Sequence, residues 1–156
     1  MPIVLVINPR SIYNKIDQFK TYMEERSIDV AFISETWERP DNPLSNLIDV
    51  KKYQVISNPY QRKNIGGKPA LVINKQKFLI DDPNHSLINI PWGVEIVWGI
   101  LRPKKISNSS KIKKIIVASF YCKPGSGKKS LLLDHISEVY HFLTSKFKGH
   151  ILDYWC

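Results

Sequence analysis

PIVLVINPRSIYNKIDQFKTYMEERSIDVAFISETW, residues 2–37, is the stretch that decides the fold. Its first seven residues, Pro2 to Asn8, are mostly apolar and β-branched and stop at Asn8-Pro9, the pattern of a buried strand. Ile12, Ile16, Phe19 and Met23 then recur at helical spacing, with Ser11 placed to cap the helix and Asp17, Gln18, Lys20, Glu24 and Glu25 on the opposite side. Ile28 to Ser34 is a second apolar strand. Strand, amphipathic helix and strand in such close succession predict a βαβ-like unit, whose helix packs against a sheet.

Outward from this unit the pattern changes. Tyr53–Ser57 and Ala70–Asn74 are two short strands joined by a polar loop with Arg62, Lys63 and the Gly66-Gly67 pair, which supplies the positive φ a tight connection needs. Leu87–Ile90 predicts one more short strand. Val94–Leu101 is apolar on both faces and reads as an interior strand, followed by the basic loop 102–111 and a strand over Ile112–Tyr121 in antiparallel order. A loop with Pro124, Gly125 and Gly127 leads into a helix over about 130–146, whose stripe is Leu132, Ile136, Val139, Leu143 and Phe147. His150–Asp153 opens a last strand shortly before Cys156, which predicts a single domain over 1–156 that is shortened at its C-terminal end.

At 156 residues, 43% hydrophobic and 24% charged, the chain has the balance of one globular domain and not of a disordered or collagen-like one. The run Ile3–Ile7 is too short for a membrane span. Two cysteines, Cys122 and Cys156, are too few for a disulfide framework, so a reducing intracellular compartment, nuclear or cytoplasmic, is expected. Charge is uneven: residues 1–60 hold seven Lys/Arg against eight Asp/Glu, and residues 61–156 hold sixteen against six. The basic excess of the later segments fits a polyanion such as nucleic acid, or a solvated lysine-rich surface.

Polar residues that could carry chemistry sit at strand ends. Asn8 follows the first strand and Glu35 the second, and in a parallel pair such ends lie side by side, where open α/β sheets place their ligands. An amide oxygen and a carboxylate are hard donors suited to Mg²⁺; the plainer alternative is a turn asparagine and a solvated or capping glutamate. Gly125-Ser126-Gly127-Lys128-Lys129-Ser130 lies between strand and helix as a phosphate loop does, but Cys122 and Lys129 stand where that motif requires glycine and Ser/Thr. Trp37, Trp92, Trp98 and Trp155 form no periodic stacking series; Trp98 is expected in the core and Trp92 as a loop anchor.

Taken in order, Asn8-Pro9-Arg10-Ser11 with Asn14-Lys15, and Asp29 to Trp37, resemble the endonuclease/exonuclease/phosphatase superfamily, in particular its retroelement-type apurinic-like endonuclease branch. The likeness continues through Tyr53–Ser57, Gly66-Gly67, Ala70–Asn74, Val94–Ile100, the Tyr-x-x-Pro-like Ser119–Pro124 and the helix over 130–147. It implies an α/β (α+β) fold, an incomplete four-layer αββα sandwich of two packed mixed sheets. It also implies a Mg²⁺-dependent phosphodiesterase, with Mn²⁺ as a substitute, acting on DNA. Asn8 and Glu35 would form the metal site, with Glu35 binding the ion directly, and Tyr121 would position the phosphate.

The sequence departs from the family at its far end. His150-Ile151-Leu152-Asp153-Tyr154-Trp155 lacks the glycine of the family's Gly-Asp-x-Asn segment; Asp153 matches the aspartate and Trp155 replaces the asparagine. The later Asp-His pair that serves as general acid and base is absent from the chain, and such catalysis contributes typically about 10²–10⁴-fold. His135 and His141 are six apart on different helix faces and do not replace it. The expectation is therefore the N-terminal part of an endonuclease, inactive or weak alone, or else a non-catalytic basic nucleic-acid-binding remnant. An unfinished sheet also predicts self-association through its exposed edge.

Overall fold

The structure, a computed structural model, describes residues 2–57, 67–83, 87–105, 112–147 and 150–155, with the backbone alone given for 112, 113 and 150–155. Strand β1 (Val4–Ile7) is followed by a 3₁₀ turn (Tyr13–Lys15) and helix α1 (Ile16–Glu25), then strand β2 (Val30–Ile33). A short helix α2 (Leu44–Leu47) precedes β3 (Tyr53–Ser57), β4 (Ala70–Asn74) and β5 (Phe78–Asp81). The second half supplies β6 (Glu95–Pro103), β7 (Ile112–Tyr121), α3 (Lys129–Lys146) and β8 (His150–Trp155).

Two four-stranded sheets result, in the orders β1-β2-β4-β3 and β5-β6-β7-β8. Both are mixed. In the first, β1 pairs parallel to β2 and the other pairs are antiparallel. In the second, β7 and β8 are the parallel pair. The alternation of side chains along each strand explains the layers. Val30, Phe32, Leu71 and Ile73 meet Val97, Leu101, Ile115 and Val117 between the sheets. Ala31, Ile33, Ala70 and Val72 carry the outer face under Phe19 and Met23 of α1. Ile96, Trp98, Ile100, Ile116 and Ala118 carry the other outer face under Leu132, Val139 and Leu143 of α3. The order is helix, sheet, sheet, helix.

Several expectations need correction. Leu87–Ile90 is no strand; Ile88 and Ile90 instead tuck a loop into the core beneath α3. The edge position belongs to β5, whose Phe78 pairs with Pro103 and whose Asp81 is held by Arg102 at 2.9 Å. Ser11 does not cap α1. Its φ is 87° and its N–H donates to Glu35 O, so the helix starts later, after Lys15, without a side-chain cap. Trp98 is fully buried, as expected, but Trp92 is 81% exposed and not packed into the loop as an anchor would be. Arg62, Lys63 and Gly66 lie outside the described residues. Val4 and Val6 on the edge strand β1 are exposed, and among the described residues no helix is long and apolar enough to cross a membrane.

Candidate active site

Ile7 and Ile33 are register partners in the parallel pair, so the chain leaves β1 and β2 at one end of the first sheet. Asn8 and Glu35 are brought together there: Asn8 Nδ2 donates to Glu35 Oε1 at 2.9 Å. Trp37 Nε1 donates to Glu35 Oε2 at 3.1 Å. Each carboxylate oxygen thus accepts one bond and keeps lone-pair capacity for a further donor or a cation. The amide oxygen of Asn8 is turned to Arg10 N–H, 3.1 Å away. In this arrangement the Asn8 amide orients the Glu35 carboxylate.

The loops around this carboxylate are stitched by backbone bonds. Ser11 N–H donates to Glu35 O and Ile12 N–H to Thr36 O, both at 3.1 Å. Thr36 N–H donates to Lys68 O and Trp37 N–H to Gly67 O, both at 3.2 Å, while Thr36 Oγ1 bonds Lys68 O at 2.6 Å. Arg10, Ser11, Trp37 and Lys68 all have positive φ. Such backbone costs roughly 1–2 kcal/mol per non-glycine residue and persists only where surrounding contacts over-determine it.

The second sheet contributes Tyr121 and Glu95, which are register partners at the facing ends of β7 and β6. Ser119 Oγ bonds Ile33 O at 2.9 Å and ties the two sheets together at this end. Glu95 is 5% exposed, and its Oε2 accepts Lys68 N–H at 3.2 Å. Gly67, with φ at 66°, lies so close that a Cβ there would fall on Glu95 Oε2 and come within 2.8 Å of Tyr121 Cδ1. Burial and then the negative charges of Glu35 and Glu95 push the Tyr121 phenol above its usual range. The phenol therefore stays protonated at neutral pH and is available as a donor.

Asp153 is not brought to this end. The parallel register sets it opposite Ile116, five positions before Tyr121, and its side chain lies outside the described residues. No cluster of three or more His, Cys, Asp or Glu side chains forms among the described residues. Hard oxygen donors are nonetheless present in Glu35, and Mg²⁺ keeps most of its waters and needs only one or two carboxylates, so the residues fit that ion. Sequence reasoning missed Trp37 as a partner of Glu35 and Glu95 as a carboxylate of the same end. The sole signal for Glu95 was an acid at the mouth of an otherwise apolar strand.

Structures of this shape are known. The endonuclease domain of TRAS1, a telomere-specific non-LTR retrotransposon, superposes with a TM-score of 0.64 at 16% identity over 92% of this chain and 56% of its own. The AP endonuclease LMAP from Leishmania major gives 0.65 at 15% identity over 97% and 54%. An AP endonuclease from Archaeoglobus fulgidus gives 0.57 at 16% identity over 100% and 56%. The chain has the endonuclease/exonuclease/phosphatase fold. At these identities the likeness is one of fold, and the chain spans a little over half the length of the structures it matches. No family model matches the sequence, and neither does any curated protein. Within the endonuclease/exonuclease/phosphatase fold of this chain, the strand ends of both sheets open on the same side, which is why Glu35, Tyr121 and Glu95 share one end.

Proposed function

We propose that this chain is the N-terminal part of a Mg²⁺-dependent phosphodiesterase of the endonuclease type that acts on DNA, with Mn²⁺ as an alternative ion and little or no turnover from this chain alone. The observation that carries the reading is the pair Asn8–Glu35, bonded at 2.9 Å across two parallel strand ends and faced by Tyr121 from the other sheet. Glu35 would hold the ion, which would supply neutralisation of charge developing on the phosphate. Asn8 and Trp37 fix the carboxylate, and the protonated Tyr121 phenol offers a hydrogen bond to a phosphate oxygen. His135, on α3, turns inward against Trp98 and not toward this end. Low turnover from this chain alone is part of the proposal. Nuclear or cytoplasmic residence is part of this reading, since two cysteines are too few for a disulfide framework.

A second reading, a non-catalytic basic binder of nucleic acid, draws support from Glu35 already accepting two hydrogen bonds and from the charge of +9. Nicking of supercoiled plasmid and of a duplex with an abasic site, with and without Mg²⁺, separates the two. Cleavage that requires Mg²⁺ and vanishes in Glu35→Ala supports the first. Salt-sensitive binding with neither cleavage nor Glu35-dependent Mg²⁺ binding in calorimetry supports the second and overturns the first. The exposed edge at β1 further suggests self-association, which sedimentation over a concentration series would detect.

A further inference from the structure

Trp92 is the most exposed large hydrophobic residue among those described, at 81%. It is held at the tip of a defined turn: Val94 N–H donates to Pro91 O at 3.1 Å, and Gly93 takes a φ of 82° that side chains rarely adopt. Lys128 Nζ lies over the indole, 5.7 Å from its centroid. Between the turn and the loop after β7 runs a small cleft of about 40 Å³, lined by Gly93, Glu95, Tyr121, Lys123, Ser126 and Lys128. Glu95 and Tyr121 of the candidate active site share its lining with Gly93, the residue after Trp92. Its volume admits a phosphate oxygen or a few waters and not a nucleoside.

The charge along its outer wall is one-sided. Residues 122–129 hold Lys123, Lys128 and Lys129 and no acid, and residues 87–93 carry no charge at all. Glu95 is negative at the inner end, but it is buried and accepts Lys68 N–H, while the lysines stand toward solvent. A large aromatic face left in water beside cations, near a cleft of mixed polar and apolar lining, has the composition of a stacking platform for single-stranded nucleic acid.

We propose that Trp92, Lys128 and Lys123 bind one nucleotide of a nucleic-acid strand beside the active-site end, the base stacked on the indole and its phosphate held by the lysines. The inference rests on the reading that the ligand of this end is nucleic acid. Its test is fluorescence anisotropy of a short fluorescein-labelled DNA single strand, and of the same strand in a duplex, with the full chain in EDTA. Trp92→Ala should bind the single strand about tenfold more weakly, and Trp92→Phe, which keeps a ring, should stay within about threefold of the parent. Lys128→Gln should lower the slope of log affinity against log salt by about 0.7, one phosphate's worth. Circular dichroism checks that each variant is folded, which an exposed position favours.

Binding by Trp92→Ala equal to the parent, or Trp92→Phe as weak as Trp92→Ala, overturns the platform while leaving Mg²⁺-dependent nicking untouched. Loss of single-strand binding in Trp92→Ala together with neither nicking nor Glu35-dependent Mg²⁺ binding by the parent supports the platform and overturns the phosphodiesterase reading. A parent chain that binds no strand at low salt overturns both.

Discussion

Glu95 and His135 are buried to nearly the same degree, 5% and 3% exposed, the one on β6 and the other packed against it, yet their surroundings differ in kind. His135 lies on α3 above Trp98, with ring centroids 6.1 Å apart at 71°, and its Nε2 accepts the indole N–H at 3.4 Å. An apolar cluster lies beneath it, and burial pushes the imidazole below its usual range against the opposing charge of Glu138. Glu95 lies on the opposite face of the same strand, at its end. Its bond to Lys68 N–H leads through Gly67, Lys68, Thr36 and Trp37 to Glu35. Burial of an ionisable group therefore does not mark a site by itself. What separates the two is the next link: strained loops and a second carboxylate in one case, hydrocarbon in the other.

The comparison can be broken most forcefully from the His135 side. Trp98→Ala removes a fully buried ring and should cost about 3–5 kcal/mol in chemical denaturation. Mg²⁺ affinity of the folded fraction, measured by calorimetry, should not change; a fall would mean that the two regions are coupled. Gly67→Ala attacks the other side. Positive φ and the clash with Glu95 should cost about 2 kcal/mol, and here the Mg²⁺ affinity should fall.

Glu95→Gln is gentler. It retains one acceptor for Lys68 N–H and should cost about 1 kcal/mol. Removing that negative charge should lower the titration midpoint of Tyr121, read as the tyrosinate absorbance lost in a Tyr121→Phe background. Smallest is the pH effect of His135. Its folded form prefers the neutral ring, so protons bind the unfolded chain more readily, and stability should fall as pH drops from the usual value of 6.5 toward the lowered one. His135→Gln should flatten that decline in thermal melts across the acidic range.

Much of this was legible before the coordinates. The β1–α1–β2 unit, the interior character of β6 and the stripe of α3 are periodicities, and a period reports directly which face of an element is buried. Asn8 and Glu35 could be paired because parallel strands that follow each other through a helix must end on the same side. The failures are also physical. Phe78–Asp81 and Leu87–Ile90 are apolar runs of equal length, and only the ladder with β6 distinguishes strand from tucked loop. Ser11 has the chemistry of a helix cap, but a distant carbonyl, Glu35 O, claims the local backbone.

Local order in the chain thus determined the elements, their buried faces and the two polar residues at the first strand ends. Tertiary structure alone decided that Glu95 and Tyr121 face those ends, that Asn8 turns its nitrogen toward Glu35, and that Trp92 stands in solvent. The reason is that alternation along a strand specifies a face, whereas what the face meets depends on a second sheet, whose Glu95 and Tyr121 lie sixty or more positions after Glu35.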